Sequence, residues 1–299
     1  MESLITIFTP TFNRVGLLPR CYESLKKQND NRFVWMIIDD GSTDNTRELV
    51  ESWIKIERNF IIKYYYKQNE GLHSAYNMAI EKIATPLCLC VDSDDYLQEN
   101  AIEMILDFWE TYGSEKYAGI IGLDCFEDGN VIGDLLPNQK QINLIDLLTG
   151  KYNLVNGDRA LVVRTELYKS VAPMKVFAGE KYFNPHFMHL QISESYDFLV
   201  FNEALKTVEY QLEGMSNSML EQYRNSPKSF SEIRKLYLSF PGTSLGFKLR
   251  HSIHLSSSCF LMHNIRSSIT DNPHKLLALA SIPFGLALSC IILSKGRHR

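Results

Sequence analysis

Three closely spaced carboxylates at the end of an apolar run are the residues of this sequence best suited to chemistry. Residues 86–91 form the run, and Asp92, Ser93, Asp94 and Asp95 follow it directly. At the end of a β-strand alternate residues point the same way, so Asp92 and Asp94 can present their oxygens to one site. Paired carboxylates require a cation, and hard oxygen ligands suit Mg²⁺ or Mn²⁺, which also bind nucleotide phosphates. The pattern indicates a metal and nucleotide site, with a helix-capping turn as the alternative.

Strands and helices alternate over the first hundred residues, and this order determines where the carboxylates lie. Apolar strand-like runs alternate with helical patterns, the strands at 4–8, 33–38, 60–66 and 86–91 and the helices at 17–28, 45–57, 73–83 and 100–112. This order predicts a parallel sheet with right-handed crossovers. Ligands of open parallel sheets bind beyond the carboxyl ends of the strands. We therefore expect three polar segments to share one edge: 9–13, 39–42 and 92–95.

Composition limits the classes of protein to which the chain can belong. Its 299 residues carry 31 basic and 35 acidic side chains, a net charge of −4, which excludes a generally basic nucleic-acid-binding protein. Six cysteines are scattered without the spacing of a disulfide framework or a zinc site, which predicts free thiols in a reducing cytoplasm. The N-terminal residues show no signal-peptide pattern.

Three motifs, each on one of the predicted strand ends, carry a family resemblance. Residues 9–14 read Thr-Pro-Thr-Phe-Asn-Arg, residues 38–44 read Ile-Asp-Asp-Gly-Ser-Thr-Asp, and residues 92–95 read Asp-Ser-Asp-Asp. In this order they resemble the opening loop, the second-strand signature and the metal motif of the family 2 glycosyltransferases, inverting enzymes of GT-A fold. The resemblance covers residues 3 to about 112 strongly and extends to 215 more weakly. It specifies a family and not a sugar.

The resemblance implies an α/β protein of GT-A fold, with a mostly parallel nucleotide-binding sheet flanked by helices. After about residue 118 shorter segments follow, with a hairpin turn at 127–130, and these imply a mixed acceptor-binding half. We expect a nucleotide-sugar-binding half over 1–115, an acceptor and catalytic-base half over 116–221, and a helical C-terminal extension over 222–299.

The resemblance also implies the reaction and the donor site. A nucleotide-diphospho-sugar would give up its sugar to a saccharide acceptor, and a carboxylate that accepts from a uracil N–H favours a uridine donor. Asp94, with Asp92, would hold Mn²⁺ or Mg²⁺ against the diphosphate. His73 could contact the diphosphate or lie in the core or at the surface, and Asp95 could reach a sugar or cap the next turn. The donor-binding residues would be Thr9, Pro10, Thr11, Asn13, Asp39, Asp40, Asn69, Gly71, His73, Asp92, Ser93 and Asp95.

An inverting transfer needs a base that takes the proton of the acceptor hydroxyl. The carboxylates beyond the metal motif that could do so are Asp124, Asp158, Glu166, Glu180, Glu194 and Asp197. Gly179-Glu180-Lys181-Tyr182 is similar to the family's downstream acidic segment, so we expect Glu180 to be the base. Asp158 is the second choice and could instead shape the acceptor pocket.

Other classes fit the motifs less well. A phosphatase or phosphotransferase with Asp92 as nucleophile normally carries its Asp-x-Asp loop on the first strand, whereas here it follows the fourth. A nucleotidyltransferase favours a Gly-rich, basic first loop, which residues 9–13 lack. A non-catalytic nucleotide-binding module remains as a further alternative and would bind the donor without turnover.

The C-terminal region predicts contact with a membrane. From residue 222 onward there are 11 basic and 2 acidic residues, a balance of +9, against 20 basic and 33 acidic residues before it. Residues 276–294 carry no charge and are near the lower limit of a spanning helix, about 17–25 residues, while residues 247–269 mix apolar and basic residues as interfacial helices do. We expect a cytoplasmic protein at the inner face of the plasma membrane, peripheral or anchored by its C-terminus, that builds cell-surface polysaccharide such as capsule on a lipid-linked acceptor. The alternative is a soluble helical hairpin that packs on the rest of the chain or on a partner in a homodimer.

Overall fold

A nine-stranded sheet runs through the first part of the chain in the computed structural model, which describes residues 2–154, 157–209, 211 and 219–295. The strands are β1 (Ile5–Thr11), β2 (Phe33–Asp39), β3 (Ile61–Tyr66), β4 (Leu87–Cys90), β5 (Tyr96–Leu97), β6 (Tyr117–Cys125), β7 (Gln141–Ile142), β8 (Arg159–Arg164) and β9 (Asp197–Thr207). Their order is β3-β2-β1-β4-β8-β6-β9-β5, with β7 paired to β9. Strands β1 to β4 are parallel, and β8 joins β4 in the antiparallel sense. The predicted parallel first half and mixed second half are confirmed.

The helices follow the strands in the order that the sequence predicts. Those before the C-terminal region are α1 (Leu18–Lys26), α2 (Thr46–Ile56), α3 (Leu72–Lys82), α4 (Ala101–Tyr112), α5 (Leu144–Leu148), α6 (Thr165–Val171) and α7 (His186–Ser193). The C-terminal ones are α8 (Met219–Asn225), α9 (Pro227–Ser239), α10 (Leu245–Leu261), α11 (Ser267–Thr270) and α12 (Lys275–Lys295). The described residues form two units, one from Met1–Pro173 and Met188–Gln211, the other from Met174–Phe187 and Leu212–Arg299.

Stacked aromatic rings attach α1 and α2 to the sheet. The rings of Tyr22 on α1 and Trp53 on α2 lie 4.4 Å apart, and both stack near Trp35 of β2. Such large buried rings account for much of the apolar area that stabilises a domain. They leave the strand ends, where the polar loops begin, supported by a rigid core.

Strand β1 continues further than predicted, because residues 9–11 are strand and not loop. Pro10 pairs with Ile38 of β2, and it lies beyond Phe8, the last β1 residue paired with β4. A proline can occupy this position because β4 no longer needs an N–H from β1 there. The first polar segment is therefore displaced toward Asn13.

The C-terminal unit is helical, and its small core is formed by Leu238, Leu255 and Cys259. The region predicted as an amphipathic helix over 247–269 is divided between α10 and α11. The uncharged run is one continuous helix, α12, which is long and apolar enough to cross a membrane by length and composition, with a mean hydropathy of 2.4. Membrane association stays a prediction.

Candidate nucleotide and metal site

The ends of β1 and β2 are joined by hydrogen bonds that involve Asn13. The backbone N–H of Asn13 donates to Ser42 Oγ at 2.9 Å, and the Asn13 side-chain oxygen accepts from the Thr43 N–H at 2.8 Å. Asn13 has a φ of 52°, a left-handed conformation that asparagine tolerates better than most residues. The structure thus brings the first two predicted segments together, with Asn13 exposed at the edge.

Asp39, at the end of β2, uses its side chain to shape its own turn. Its Oδ1 accepts from the Ser42 N–H at 2.7 Å, and its Oδ2 accepts from the Tyr64 hydroxyl at 2.6 Å. The residue is fully buried. Its first task is therefore structural, and contact with a nucleoside stays a prediction.

Asp40 ties the second segment to the third. Its carboxylate accepts from Lys67 Nζ at 2.9 Å, from the Glu70 N–H at 3.1 Å and from the Gly71 N–H at 2.7 Å. Gly71 and Gly41 have positive φ angles of 98° and 87°, which favour glycine. A Cβ atom at Gly41 would also lie only 2.7 Å from the backbone nitrogen of Asn69. Asn69 and Gly71 are thereby held against the end of β2, and their contact with a nucleotide stays a prediction.

Two of the residues expected to bind the nucleotide-sugar donor have buried side chains. The Thr9 hydroxyl accepts from Trp35 Nε1 at 3.0 Å, and the residue has no exposed surface, because β1 continues through this position. His73, in the first turn of α3, is also fully buried, and its contact with a diphosphate stays a prediction. Pro10 and Thr11 are buried as well, and their contact with the donor stays a prediction.

The turn that follows β4 has the alternation that the sequence predicts. Asp92 and Asp94 are half-buried, while Ser93 and Asp95 between and after them are buried, and the Asp95 N–H donates to the Asp92 carbonyl at 3.0 Å. Burial and the nearby negative charge of Asp92 raise the pKa of Asp94. The Asp94 carboxylate forms a long ion pair with Arg14, with 3.9 Å between Nη1 and Oδ2. The carboxylates of this turn therefore carry more negative charge than the neighbouring cation offsets.

The donor set fits a hard divalent cation. Among the described residues no group of three or more His, Cys, Asp or Glu side chains could hold a metal, so a protein-only cage is absent there. Mg²⁺ and Mn²⁺ do not need one, because they commonly bind through one or two carboxylates and take their other ligands from water and phosphate. Asp94 and Asp92 would hold such an ion, and the raised pKa of Asp94 shows the charge that it would offset.

A buried lysine beside the turn was not predicted. Lys206, on β9, donates to Asp95 Oδ2 at 2.8 Å and lies 3.6 Å from Asp124 Oδ2 on β6. Burial opposes the charge of Lys206, but Asp124 and Asp95 raise its pKa well above the ordinary value. One ammonium cannot offset two buried carboxylates: burial raises the pKa of Asp95 to about 7 and that of Asp124 to about 6. Asp124, which the sequence suggested only as a possible base, is an ion-pair partner.

Arg20 supports the same turn from α1. Its guanidinium donates to the Asp94 carbonyl at 3.0 Å, lies over the Tyr96 ring and pairs with Glu209 just after β9. Arg20, Lys206 and Glu209 lie far apart in the sequence from the residues that they contact. No local pattern could identify them, because the pairing of β5 with β9 brings them together.

The two residues expected to act as base have different surroundings. The Glu180 carboxylate is buried and accepts from the Lys228 N–H at 2.9 Å, from the Ser229 N–H at 2.8 Å and from the Ser229 hydroxyl at 2.7 Å. It therefore caps the N-terminus of α9, a role that its sequence context did not predict. Asp158 is exposed, and the adjoining Asn156 lies outside the described residues. Catalysis by either residue stays a prediction.

Comparison with known proteins finds sequence similarity in the first half of the chain. Residues 6–142 match the family model described as glycosyl transferase family 2. An uncharacterized glycosyltransferase of Rickettsia bellii is 33% identical over 109 residues, which are 36% of this chain and 15% of that protein. A putative teichuronic acid biosynthesis glycosyltransferase of Bacillus subtilis, TuaG, is 29% identical over 107 residues, 36% of this chain and 42% of TuaG. The chain thus spans less than half of the length of these relatives.

Solved structures share the fold over the whole chain. Residues 1–349 of TarS from S. aureus superpose with a TM-score of 0.64 at 15% identity, covering 100% of this chain and 93% of that one. The same TarS fragment is known with UDP-GlcNAc, with a TM-score of 0.56 and 16% identity over the same shares of the two chains. The mannosyltransferase PcManGT from Pyrobaculum calidifontis, in complex with GDP-Man and Mn²⁺, superposes with a TM-score of 0.58 at 13% identity. The match covers 97% of this chain and 81% of that one. At these identities the likeness establishes the GT-A fold alone. Residues 6–142 of this chain are thus similar in sequence to glycosyltransferase family 2.

Proposed function

We propose that this protein is an inverting glycosyltransferase that moves a sugar from a uridine-diphospho-sugar to a saccharide acceptor. The observation that carries the proposal is the turn of Asp92 and Asp94, which lies next to the joined ends of β1 and β2 in the part of the chain that matches the family. Nucleotides bind at this edge of parallel sheets. The relatives and the fold support the class of reaction, and the donor and acceptor are part of the proposal.

In this proposal the nucleoside lies against Asn13, Asn69 and Gly71. Asp40 holds that wall together through its bonds to Lys67 and to the backbone before α3. A carboxylate oxygen can accept two hydrogen bonds, and Asp40 Oδ2 accepts one, from Gly71. A uracil N–H is a suitable second donor, which is the physical reason for proposing uridine.

Asp94 and Asp92 would hold a divalent cation at the diphosphate end of the donor. Bound Mn²⁺ or Mg²⁺ supplies positive charge that offsets the charge of the departing nucleoside diphosphate. Arg14 adds a permanent cation beside Asp94. Lys206 and Arg20 hold the turn itself, through the Asp95 carboxylate and the Asp94 carbonyl.

The acceptor hydroxyl must lose its proton as it attacks, and we propose Glu180 as the base with Asp158 as the alternative. For Glu180 to act, one carboxylate oxygen must exchange a hydrogen bond from the start of α9 for the acceptor hydroxyl. We further propose a lipid-linked acceptor at the cytoplasmic membrane face, in the biosynthesis of a cell-surface polysaccharide. The balance of +9 after residue 221 and the apolar helix α12 support this location.

A donor screen tests the proposal. Purified full-length protein is incubated with UDP-glucose, UDP-galactose, UDP-GlcNAc and GDP-mannose in the presence of Mn²⁺, and release of the nucleoside diphosphate is measured with and without a saccharide acceptor. We expect release from a uridine donor, lost on chelation and restored by Mn²⁺ or Mg²⁺. Donor binding without release under any of these conditions would contradict the proposal and favour a non-catalytic binding module.

A further inference from the structure

The polarity of α12 is the reverse of that expected for a helix on the surface of a water-soluble protein. Its buried stripe consists mainly of small or polar residues, Ala278, Ser281, Gly285 and Ser289, followed by Ile292. Its exposed side chains are large and apolar, with exposed fractions of 47% to 83%: Leu276, Leu279, Phe284, Leu286, Ile291 and Leu293. A helix in water buries such side chains and exposes the polar ones. The surroundings of α12 must therefore be apolar.

The inner stripe of α12 packs closely on α10. The hydroxyls of Ser281 and Ser256 form a hydrogen bond of 2.9 Å. A Cβ at Gly285 would lie 2.5 Å from the Ser256 Cβ and 2.9 Å from the Ser257 nitrogen, so only glycine permits this approach. Small residues and hydroxyl contacts are the usual means of helix association where the surrounding medium is as apolar as leucine.

The ends of α12 suit an anionic lipid surface. No charged residue lies between Lys275 and Lys295, and the sequence continues with Arg297 and Arg299. Lys248 and Arg250 add positive charge at the start of α10. Basic residues beside an apolar segment are attracted to anionic headgroups within about 10 Å at ordinary ionic strength.

The packing also decides how the helix lies relative to the bilayer. The buried stripe runs from Ala278 to Ile292, over most of the helix, and α10 in turn packs against α9. Helix α9 carries Glu232, Arg234 and Lys235. If α12 crossed the bilayer, these helices would have to enter the hydrocarbon beside it with their charges, which is costly. With α12 parallel to the surface, only its outer face enters.

We propose that α12 is a monotopic membrane anchor that lies in the plane of one anionic leaflet. Its outer face occupies the acyl region, and its small-residue stripe rests on α10. The proposal deepens the membrane location proposed above. It does not depend on the transfer reaction, because its tests measure lipid contact and not turnover.

Vesicle flotation tests whether the outer face binds lipid. The full chain is mixed with vesicles of phosphatidylglycerol and phosphatidylethanolamine, and we expect it to float with them at low and high salt. Leu279→Asp combined with Leu286→Asp should lower partitioning about tenfold or more, since each change puts a charge in the acyl region. Val176→Asp is the matched control, since Val176 is 52% exposed in the same unit, and it should leave partitioning unchanged.

Two outcomes of this experiment would overturn the proposal. The first is partitioning that the Leu279→Asp and Leu286→Asp changes do not affect. The second is a wild-type chain that stays in the aqueous phase, where sedimentation would show whether a second copy covers α12. Circular dichroism of each variant establishes that these exposed substitutions leave the helices folded.

The depth of the helix distinguishes an in-plane anchor from a spanning one. Leu279, Leu286 and Leu293 are seven residues apart and form one ridge, with about 10 Å between neighbours. Each is replaced singly by Trp, and quenching by lipids brominated at different acyl positions is measured relative to the unsubstituted chain. Equal depths support the in-plane anchor. A greater depth at residue 286 than at 279 and 293 would refute it in favour of a spanning helix.

Discussion

Two turns of this protein carry adjacent acidic residues at the end of a parallel strand, yet their carboxylates do different work. After β2, Asp39 and Asp40 accept five hydrogen bonds between them, all from groups of the protein. After β4, Asp92 and Asp94 are half-buried, and among the residues that the structure describes the Asp94 carboxylate has one ion-pair partner, Arg14 at 3.9 Å. The charge of the first turn is offset mainly by groups of the protein, and the second turn has charge to spare for a metal ion.

The difference shows that residue type and topological position do not determine a carboxylate's role. A side chain surrounded by N–H donors stabilises a loop, because an ionised carboxylate gains from every donor that replaces water. A side chain that keeps its charge without such donors is costly unless something binds to it. Each of the following experiments tests one side of this contrast.

The largest effect is expected at the metal turn. Asp94→Asn should lower sugar transfer by about 10²- to 10³-fold, the usual loss when one preorganised electrostatic contact to the transition state is removed. The measurement is turnover with saturating Mn²⁺. In the absence of metal the free energy of unfolding should not fall, because the raised pKa of Asp94 means that folding disfavours its ionised form.

The control for this variant is Asp107→Asn, on the exposed surface of α4. It should keep full activity and the rise in Tm that Mn²⁺ and UDP produce together, whereas Asp94→Asn should lose that rise. An Asp94→Asn protein with undiminished turnover would remove the distinction between the two turns.

At the turn after β2 the main effect should be on stability. Asp40→Ala should lower the free energy of unfolding by about 3 kcal/mol, since it removes the acceptor of the Glu70 and Gly71 N–H groups and leaves the Lys67 ammonium with the exposed Glu70 as its carboxylate partner. Urea unfolding measures the change. Combining it with Lys67→Met should recover part of the loss, because the half-buried ammonium is then removed as well. A loss below about 1 kcal/mol for Asp40→Ala would mean that the turn does not depend on this pair.

The buried Asp124 predicts a specific dependence of stability on pH. Its pKa is raised to about 6 by burial, so the folded state binds a proton more tightly than the unfolded state does. Because of Asp124, the free energy of unfolding should therefore fall as the pH rises from about 4 to 6. Above about pH 6 this residue should cause no further fall. Asp95, with a pKa raised to about 7, extends the fall toward neutrality.

Asp124→Asn should remove the acid part of this fall and leave the part due to Asp95. Urea unfolding between pH 4 and 8 measures both parts, and Asp107→Asn should keep the profile of the wild type. If the Asp124→Asn variant retained the full slope below pH 6, another group would have to be the source.

The smallest effect on stability is expected at Glu180, whose carboxylate resembles Asp40 in accepting from backbone N–H groups. Glu180→Gln keeps one acceptor oxygen at the start of α9 and loses its charge, which should cost about 1 kcal/mol of stability. Glu194→Gln, on an exposed residue, is the control for a general effect of lost charge. If Glu180 is the base, transfer falls by about 100- to 10,000-fold at an unchanged folded fraction. Unaltered transfer would leave it as a helix cap alone.

Local residue patterns are enough to predict the order of strands and helices, the parallel first half, and the shared orientation of Asp92 and Asp94. These follow from local periodicity, which acts over a few residues and is legible in one segment at a time. Its predicted element boundaries differ from the structure mainly at β1, where Pro10 and Thr11 are strand. The residue pattern of the neighbouring strand β4 could not show that its pairing with β1 ends at Phe8.

Which charges are offset depends on the packing of the folded chain. Lys206 reaches Asp95 across 111 residues of sequence, and Glu180 reaches Ser229 across 49. Such contacts depend on how strands pair and helices dock, which local preference does not encode. The same holds for α12, whose apolar composition is plain from the sequence but whose inverted burial appears only once Gly285 and Ser281 are packed on α10. Electrostatic energy depends on distance and burial, and both are properties of the folded chain.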